Sequence, residues 1–263
     1  MTLIVGLKCA DGVVVGADGI STFGSIGGQT IRQATTKLEV IADRVVVGVS
    51  GSVGLAQRFK AEVEGLHSGG KLSGKTVTEC GVILGDRFKE HIAKEVEAGR
   101  PFVPILGQGA LPSFVSATLV AMFCKKEPQV IQFDHQGAPE YSTDQLPFVA
   151  LGSGQKIADP FLAFLRRVFW PSTTPFLPDG VFAVVWTLQQ AILTNPGGVG
   201  EPMQIAILKD EGGKGTHARL LTSDELEEHR GAVVAAEKYL ANYKKQSTNL
   251  ASPPHPPEPP KGS

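Results

Sequence analysis

The sequence predicts an α+β fold in which two antiparallel sheets are flanked by layers of helix. Three observations carry that expectation. Strand patterns come in runs, helical patterns come in pairs, and the two alternate as blocks rather than one for one. The first strands are apolar at nearly every position, which implies burial on both faces. Single alternation of strand and helix, the mark of a doubly wound parallel sheet, is absent.

The elements follow in order. Thr2–Lys8 is a β-branched run, Ala10-Asp11-Gly12 carries a hairpin signal, and Val13–Ala17 forms the returning strand. Glycine-rich loop material at Gly24, Gly27 and Gly28 then leads to strands at Lys37–Ile41 and Arg44–Ser50. Apolar residues at spacings of three and four predict helices over Val53–Leu66 and Val77–Ala98, the second stopped by Arg100-Pro101. A second β block covers Ser116–Cys124, Val130–Phe133 and Phe148–Leu151, and Gly152-Ser153-Gly154 punctuates it. Helices are expected at Lys156–Phe169 and Val181–Thr194, then strands at Met203–Leu208 and Ala218–Leu221. Thr222 and Glu225 have capping-box spacing for a last helix ending near Tyr243. The domain is read as residues 1–245, and the Pro-rich stretch over 246–263 as a disordered or polyproline-like tail.

Composition narrows the function. A formal net charge of -1 gives no electrostatic reason to expect nucleic acid or an anionic membrane as partner. No apolar run is long enough for a membrane span, and no basic segment followed by an apolar one suggests a signal peptide. Three widely spaced cysteines without a CxxC pair read as buried, reduced thiols, and the chain is expected in the cytoplasm. The six histidines form no HExxH or paired ligand set, so no metal is expected. His91 lies on a charged helical face and reads as solvated. Gly152-Ser153-Gly154-Gln155-Lys156 is too short for a phosphate-binding loop, and no cofactor is expected.

The amino end carries the chemistry. A small second residue permits removal of Met1, which would leave Thr2 with a free α-amine. Such a threonine is a self-contained catalytic unit: its hydroxyl is the nucleophile, and its amine, with a pKa near neutrality, accepts the proton. A buried cation nearby would keep the amine neutral and stabilise the developing alkoxide, and a carboxylate must then hold that cation. Asp18, ending one apolar strand, and Lys37, starting another, are suited to those roles.

Thr2-Leu3-Ile4-Val5-Gly6, the run from Asp11 to Gly19, Thr36-Lys37-Leu38 and Val49-Ser50-Gly51-Ser52-Val53-Gly54 together resemble the proteasome β-subunit family, including its bacterial HslV branch. The likeness is dense over residues 2–57 and thinner to about residue 221. It implies the four-layer αββα sandwich of N-terminal-nucleophile (Ntn) hydrolases and a self-compartmentalising threonine endopeptidase. Position by position it implies Thr2 as nucleophile, Asp18 as the partner of the catalytic Lys37, and Gly51 as backbone oxyanion donor. Ser153 falls where a serine assists the amine. Ser21, Thr22, Val49 and Val53 fall where the family grips substrate and shapes a small apolar pocket. The likeness further implies stacked homo-oligomeric rings of six or seven subunits acting on polypeptide, with a separate ATP-dependent unfoldase as partner.

The pattern breaks late. Where the family has Arg-Asp-x-x-Ser-Gly-Gly, this chain has Asn195-Pro196-Gly197-Gly198-Val199-Gly200-Glu201-Pro202, so the aspartate and serine are missing. Asn195 could orient Ser153 or the amine but supplies no charge. The segment around Gly99–Pro112 is longer than in HslV and reads equally as a pore loop or a surface insertion. Two other readings stay open: a catalytically silent ring subunit of the same fold, and an Ntn amidase or acylase.

Overall fold

The protein is described from a computed structural model, which describes residues 2–25, 28–102, 104, 116–195 and 198–247. The expected tail beyond residue 247 and most of the 99–112 segment lie outside the described residues.

One five-stranded sheet has the order β10-β1-β2-β11-β12: Phe148–Leu151, Ile4–Lys8, Gly12–Ala17, Gln204–Asp210 and Thr216–Leu220. The other has the order β5-β6-β7-β8-β9: Leu38–Ile41, Val45–Gly51, Ser116–Cys124, Glu127–Phe133 and Pro139–Tyr141. Every pairing is antiparallel. The loop expected between Ala17 and Lys37 is instead largely a separate two-stranded ribbon, β3 (Ile20–Ser25) with β4 (Gly28–Ala34). Residues 31–34 of β4 are exposed, so this stretch has no buried face to impose a two-residue apolar period.

Side-chain alternation assembles the layers. In β1 and β2, Ile4, Val13, Val15 and Ala17 face the opposite sheet, where they meet Leu38, Val46, Leu119, Ala121 and Val130. The intervening Leu3, Val5, Leu7 and Val14 face helices α3 (Gln155–Phe169), α4 (Leu177–Thr194) and α5 (Ser223–Ser247). On the other sheet Val45, Val47, Val120, Met122, Ile131 and Phe133 face α1 (Val53–Ser68) and α2 (Val77–Gly99). Both sheets are thus covered on both faces, which is why strands such as β2 and the first half of β6 are apolar without interruption. The architecture is helix, sheet, sheet, helix, as the sequence predicts.

Local chemistry fixes the helix ends. Thr222 and Glu225 form the expected reciprocal cap, with Glu225 accepting from the Thr222 amide at 2.8 Å. Thr76 and Glu79 form a second such box on α2 that the sequence reading passes over. Asp11, at the β1–β2 turn, accepts from the Leu177 amide and so caps α4 from across the fold. Trp186 is core, as expected, and its indole donates to Glu237 at 3.1 Å. His91 is not simply solvated: its ring meets Glu62 at 2.9 Å between α1 and α2. The three cysteines are buried and unpaired. No described helix is long and apolar enough to cross a membrane.

Candidate active site

Strand register builds the site. Ile4 pairs with Ala17, and the ladder runs on to Leu3 and Asp18, whose amide donates to the Leu3 carbonyl at 3.1 Å. On the other side Ile4 pairs with Leu151, which brings Gly152-Ser153-Gly154 alongside Thr2. The Gly154 amide donates to the Thr2 carbonyl at 3.2 Å. Gln204 pairs with Ala17 and carries the segment before β11 up to Asp18. Thr2 therefore lies at the end of an interior strand, with one neighbour strand on each side.

Asp18 is fully buried and accepts four hydrogen bonds. Its Oδ1 takes the Leu3 amide at 2.8 Å and Lys37 Nζ at 2.6 Å. Its Oδ2 takes the amides of Ile20 at 3.3 Å and Gly200 at 3.2 Å. Because one oxygen serves both Leu3 and Lys37, the lysine ammonium lies within two hydrogen-bond lengths of the peptide that follows Thr2. Lys37 is 6 % exposed, and burial holds its pKa below the ordinary lysine value against the opposing pull of Asp18.

The other flank is Ser153. Its hydroxyl accepts from the Thr2 nitrogen at 3.3 Å and lies 3.4 Å from the Thr2 carbonyl oxygen as donor. In the chain as given that nitrogen is a peptide amide, standing where an amine would be after loss of Met1. Gly152 has φ +89, and a Cβ there would collide with the Thr2 carbonyl oxygen. Only glycine fits this turn on both counts.

Ser50 and Gly51 end β6 across from this turn, and with Leu151, Gly152 and Ser153 they line a cleft of about 720 Å³. Asp134 and His135, from the β8–β9 turn, close its far side. Gly51 is exposed, with φ 131. Val49 turns away from the cleft and packs on the α1–α2 core, while Val53, the first residue of α1, is 56 % exposed. Ser21 is half-buried on β3, the strand that leads away from Asp18. The side chain of Thr22 lies outside the described residues.

Two contributors escaped the sequence reading. Gln204 Oε1 accepts the amides of Lys37 at 2.9 Å and Leu38 at 3.2 Å, and its Nε2 donates to the Thr35 carbonyl at 2.7 Å. This clamp fixes the backbone from which Lys37 reaches Asp18. Gly200 is the second: besides its amide on Asp18, its carbonyl accepts from Gly19 at 2.9 Å. A glutamine ahead of the apolar run Ile205–Leu208 was the only signal for the first. Asn195 forms no hydrogen bond with Ser153; it ends α4, with its carboxamide packed against Gly198.

The fold is that of the Ntn hydrolases of proteasome type: two antiparallel sheets between helix layers, with the chain's second residue at the end of an interior strand. Residues 2–65 match the sequence model of the proteasome subunit family. Three solved structures superpose over nearly the whole chain. The Anbu (Gly-1) mutant from Hyphomicrobium sp. strain MC1 has a TM-score of 0.68 at 18% identity, covering 97% of this chain and 100% of that one. Anbu (ancestral beta-subunit) from Yersinia bercovieri has a TM-score of 0.65 at 14% identity, covering 97% and 99%. The helical assembly of the Anbu complex from Pseudomonas aeruginosa has a TM-score of 0.65 at 18% identity, covering 96% and 98%. No curated protein matches the chain.

Proposed function

We propose that the chain is a threonine endopeptidase of proteasome type, with Thr2 as nucleophile once Met1 is removed. The observation that carries this reading is the shared oxygen of Asp18, which ties a buried lysine to the peptide bond next to Thr2. A surface charge at a strand end would need no such enclosure.

In the proposed reaction the Thr2 hydroxyl attacks the scissile carbonyl and passes its proton to its own amine, with Ser153 beside that nitrogen. Lys37, held by Asp18, keeps positive potential at the forming alkoxide and disfavours protonation of the amine. The Gly51 amide donates to the oxyanion; a backbone donor is rigid and needs no reorganisation as charge develops. Collapse breaks the C–N bond, the leaving amine takes the proton, and water then hydrolyses the ester on Thr2. Substrate would lie extended near Ser21 and Thr22, using main-chain hydrogen bonds that tolerate many sequences. Val53 is proposed to favour apolar residues before the cut, with Val49 supporting it from the α1–α2 core.

We also propose self-assembly of this subunit. Phe164, Val168 and Phe169 on α3 and Tyr239, Leu240 and Tyr243 on α5 are exposed apolar side chains that a second copy could cover. Light scattering of the purified chain tests this directly, and a strict monomer would exclude it.

The test of the chemistry is intact mass combined with an epoxyketone, which requires a hydroxyl and a free amine on one residue. The expected result is loss of Met1 and a single adduct on Thr2, with peptide cleavage abolished in Thr2→Ala. Retained methionine on folded protein points instead to a silent subunit. An adduct without peptide cleavage but with acyl-amide turnover points to an amidase.

A further inference from the structure

A second concavity lies at the other end of the sandwich and takes no part in the chemistry above. It has a volume of about 770 Å³ and is formed where three hairpin tips and the end of α1 converge. Arg44 comes from the β5–β6 turn, Lys125 and Lys126 from the β7–β8 turn, and Thr216 from the β11–β12 hairpin. His67 adds a titratable ring from the last turn of α1. The walls belong to different sheets, joined where the Ala218 amide donates to the Asp43 carbonyl at 2.7 Å.

The charge in this cleft is one-sided. Three permanent cations line it against one carboxylate, Asp210, whose Oδ1 already accepts the Gly212 amide at 2.9 Å. Nearby Glu211 is engaged by Lys209. Among the described residues no ion pair ties Arg44, Lys125 or Lys126 to a carboxylate. Arg44 is instead oriented by the neutral Thr216 hydroxyl at 3.2 Å. The lining also includes apolar groups: Val45, Leu72 and Met122 are buried, and Phe123 is half-buried.

The lysines occupy costly positions. Lys125 and Lys126 have φ 47 and 71, so both central residues of the turn are left-handed. Asn-Gly turns a chain in this way with little strain, whereas lysine gains nothing from it. Nothing in the turn itself favours lysine at either position.

We propose that this cleft binds an acidic peptide segment of a partner protein, its carboxylates on Arg44, Lys125 and Lys126 and an apolar side chain against Leu72 and Met122. The volume exceeds what one phosphate fills, and the apolar lining beside the cations matches a peptide side chain rather than a run of phosphates. Strand β6 runs from Val45 at this cleft to Gly51 at the other, about 20 Å at the usual rise per residue. An occupant would therefore dock without competing for Thr2, and the inference stands whether or not Thr2 is a nucleophile.

The test is fluorescence anisotropy of the full chain with a fluorescein-labelled peptide of alternating glutamate and leucine. Binding should be saturable, weaken as chloride is raised, and persist in Thr2→Ala. It should fall about tenfold in Lys125→Glu/Lys126→Glu. Lys125→Asn/Lys126→Gly, which keeps the turn, should weaken it as well, so that loss cannot be ascribed to misfolding. Unchanged affinity in both variants overturns the proposal. So does displacement by inorganic phosphate beyond a chloride control of equal ionic strength, which would mark a small-anion site. Equal competition by a single-stranded oligonucleotide would replace the peptide with nucleic acid.

Discussion

Asp18→Asn is the substitution that tests the site most sharply, because the structure fixes what each half of the carboxylate does. The native group receives four donors, two on each oxygen. An amide has one oxygen. If that oxygen keeps Leu3 and Lys37, its NH₂ faces the amides of Ile20 and Gly200, donor against donor. The reverse placement sets NH₂ against Lys37 itself. Either way Lys37, 6 % exposed, loses its counter-charge. Breaking a buried pair from one side costs about 3–5 kcal/mol. With stability of about 5–15 kcal/mol for a typical domain, that is a large fraction of the total. A fall in melting temperature of about 10 °C is expected for a chain of this size.

The pH dependence separates this account from simple loss of packing. Burial already holds the folded-state pKa of Lys37 below 10.5. Between the folded value and 10.5 the unfolded chain binds the extra proton, so stability rises with pH through that window. The penalty for burying the charge is full below the folded pKa and gone above 10.5. Without Asp18 the folded pKa drops further and the window opens at lower pH, so the variant recovers more than the parent as pH rises. Urea denaturation followed by circular dichroism at pH 7 and at about pH 9.5 reads the difference. The deficit should shrink at the higher pH. A deficit under about 1 kcal/mol, or one equal at both pH values, would refute the assignment of Lys37 as the stranded charge. Lys37→Met provides the complement: it leaves Asp18 with three backbone donors and should therefore cost less than Asp18→Asn.

Three further outcomes follow from named contacts. Gly152→Ala places a methyl group against the Thr2 carbonyl at a left-handed position, and should cost about 2–4 kcal/mol by denaturation. It should also abolish epoxyketone labelling of the folded fraction. Gln204→Ala strands the amides of Lys37 and Leu38, and should lower stability by about 1–3 kcal/mol while slowing peptide cleavage. Lys125→Asn/Lys126→Gly relieves two left-handed lysines and should raise stability by about 1–2 kcal/mol even as it weakens peptide binding.

The sequence made the sandwich legible where both faces of a strand are buried, as in Val13–Ala17 and Val45–Gly48. Continuous apolar runs at strand length leave few alternatives once flanking helices are seen. The β3–β4 ribbon was not legible, because Ser21, Thr22, Gln29, Arg32 and Gln33 mix polar residues with glycines and exposed positions carry no period. β9 was missed for a different reason: three residues beginning with proline are too short to read as a strand. At the site, Thr2, Asp18, Lys37 and Ser153 were named in advance and the fold brings them together. Gln204 and Gly200 were not, since their contributions rest on contacts 167 and 182 residues apart in the chain.

Gly200 bears on the late departure from the proteasome pattern. The missing aspartate and serine left the support of the Thr2 amine open, with Asn195 as a weak substitute. The structure assigns this segment another task, performed by backbone. The Gly200 amide holds Asp18 Oδ2 while its carbonyl holds Gly19, and a Cβ on Gly19 would strike the Pro202 carbonyl. Close approach of this kind requires glycine and a fixed path, and it is indifferent to the side chains that changed. The charge that orients Lys37 is therefore buttressed by the very stretch that lost its acid. The Thr2 nitrogen itself donates its described hydrogen bond to Ser153 Oγ. In the proposed reaction the weight of the proton transfer falls on the depressed basicity that Lys37 imposes and on that one hydroxyl. Ser153→Ala should accordingly lower cleavage about tenfold to a hundredfold and leave epoxyketone capture slower but present. An unchanged rate would move the proton relay off Ser153 and onto water.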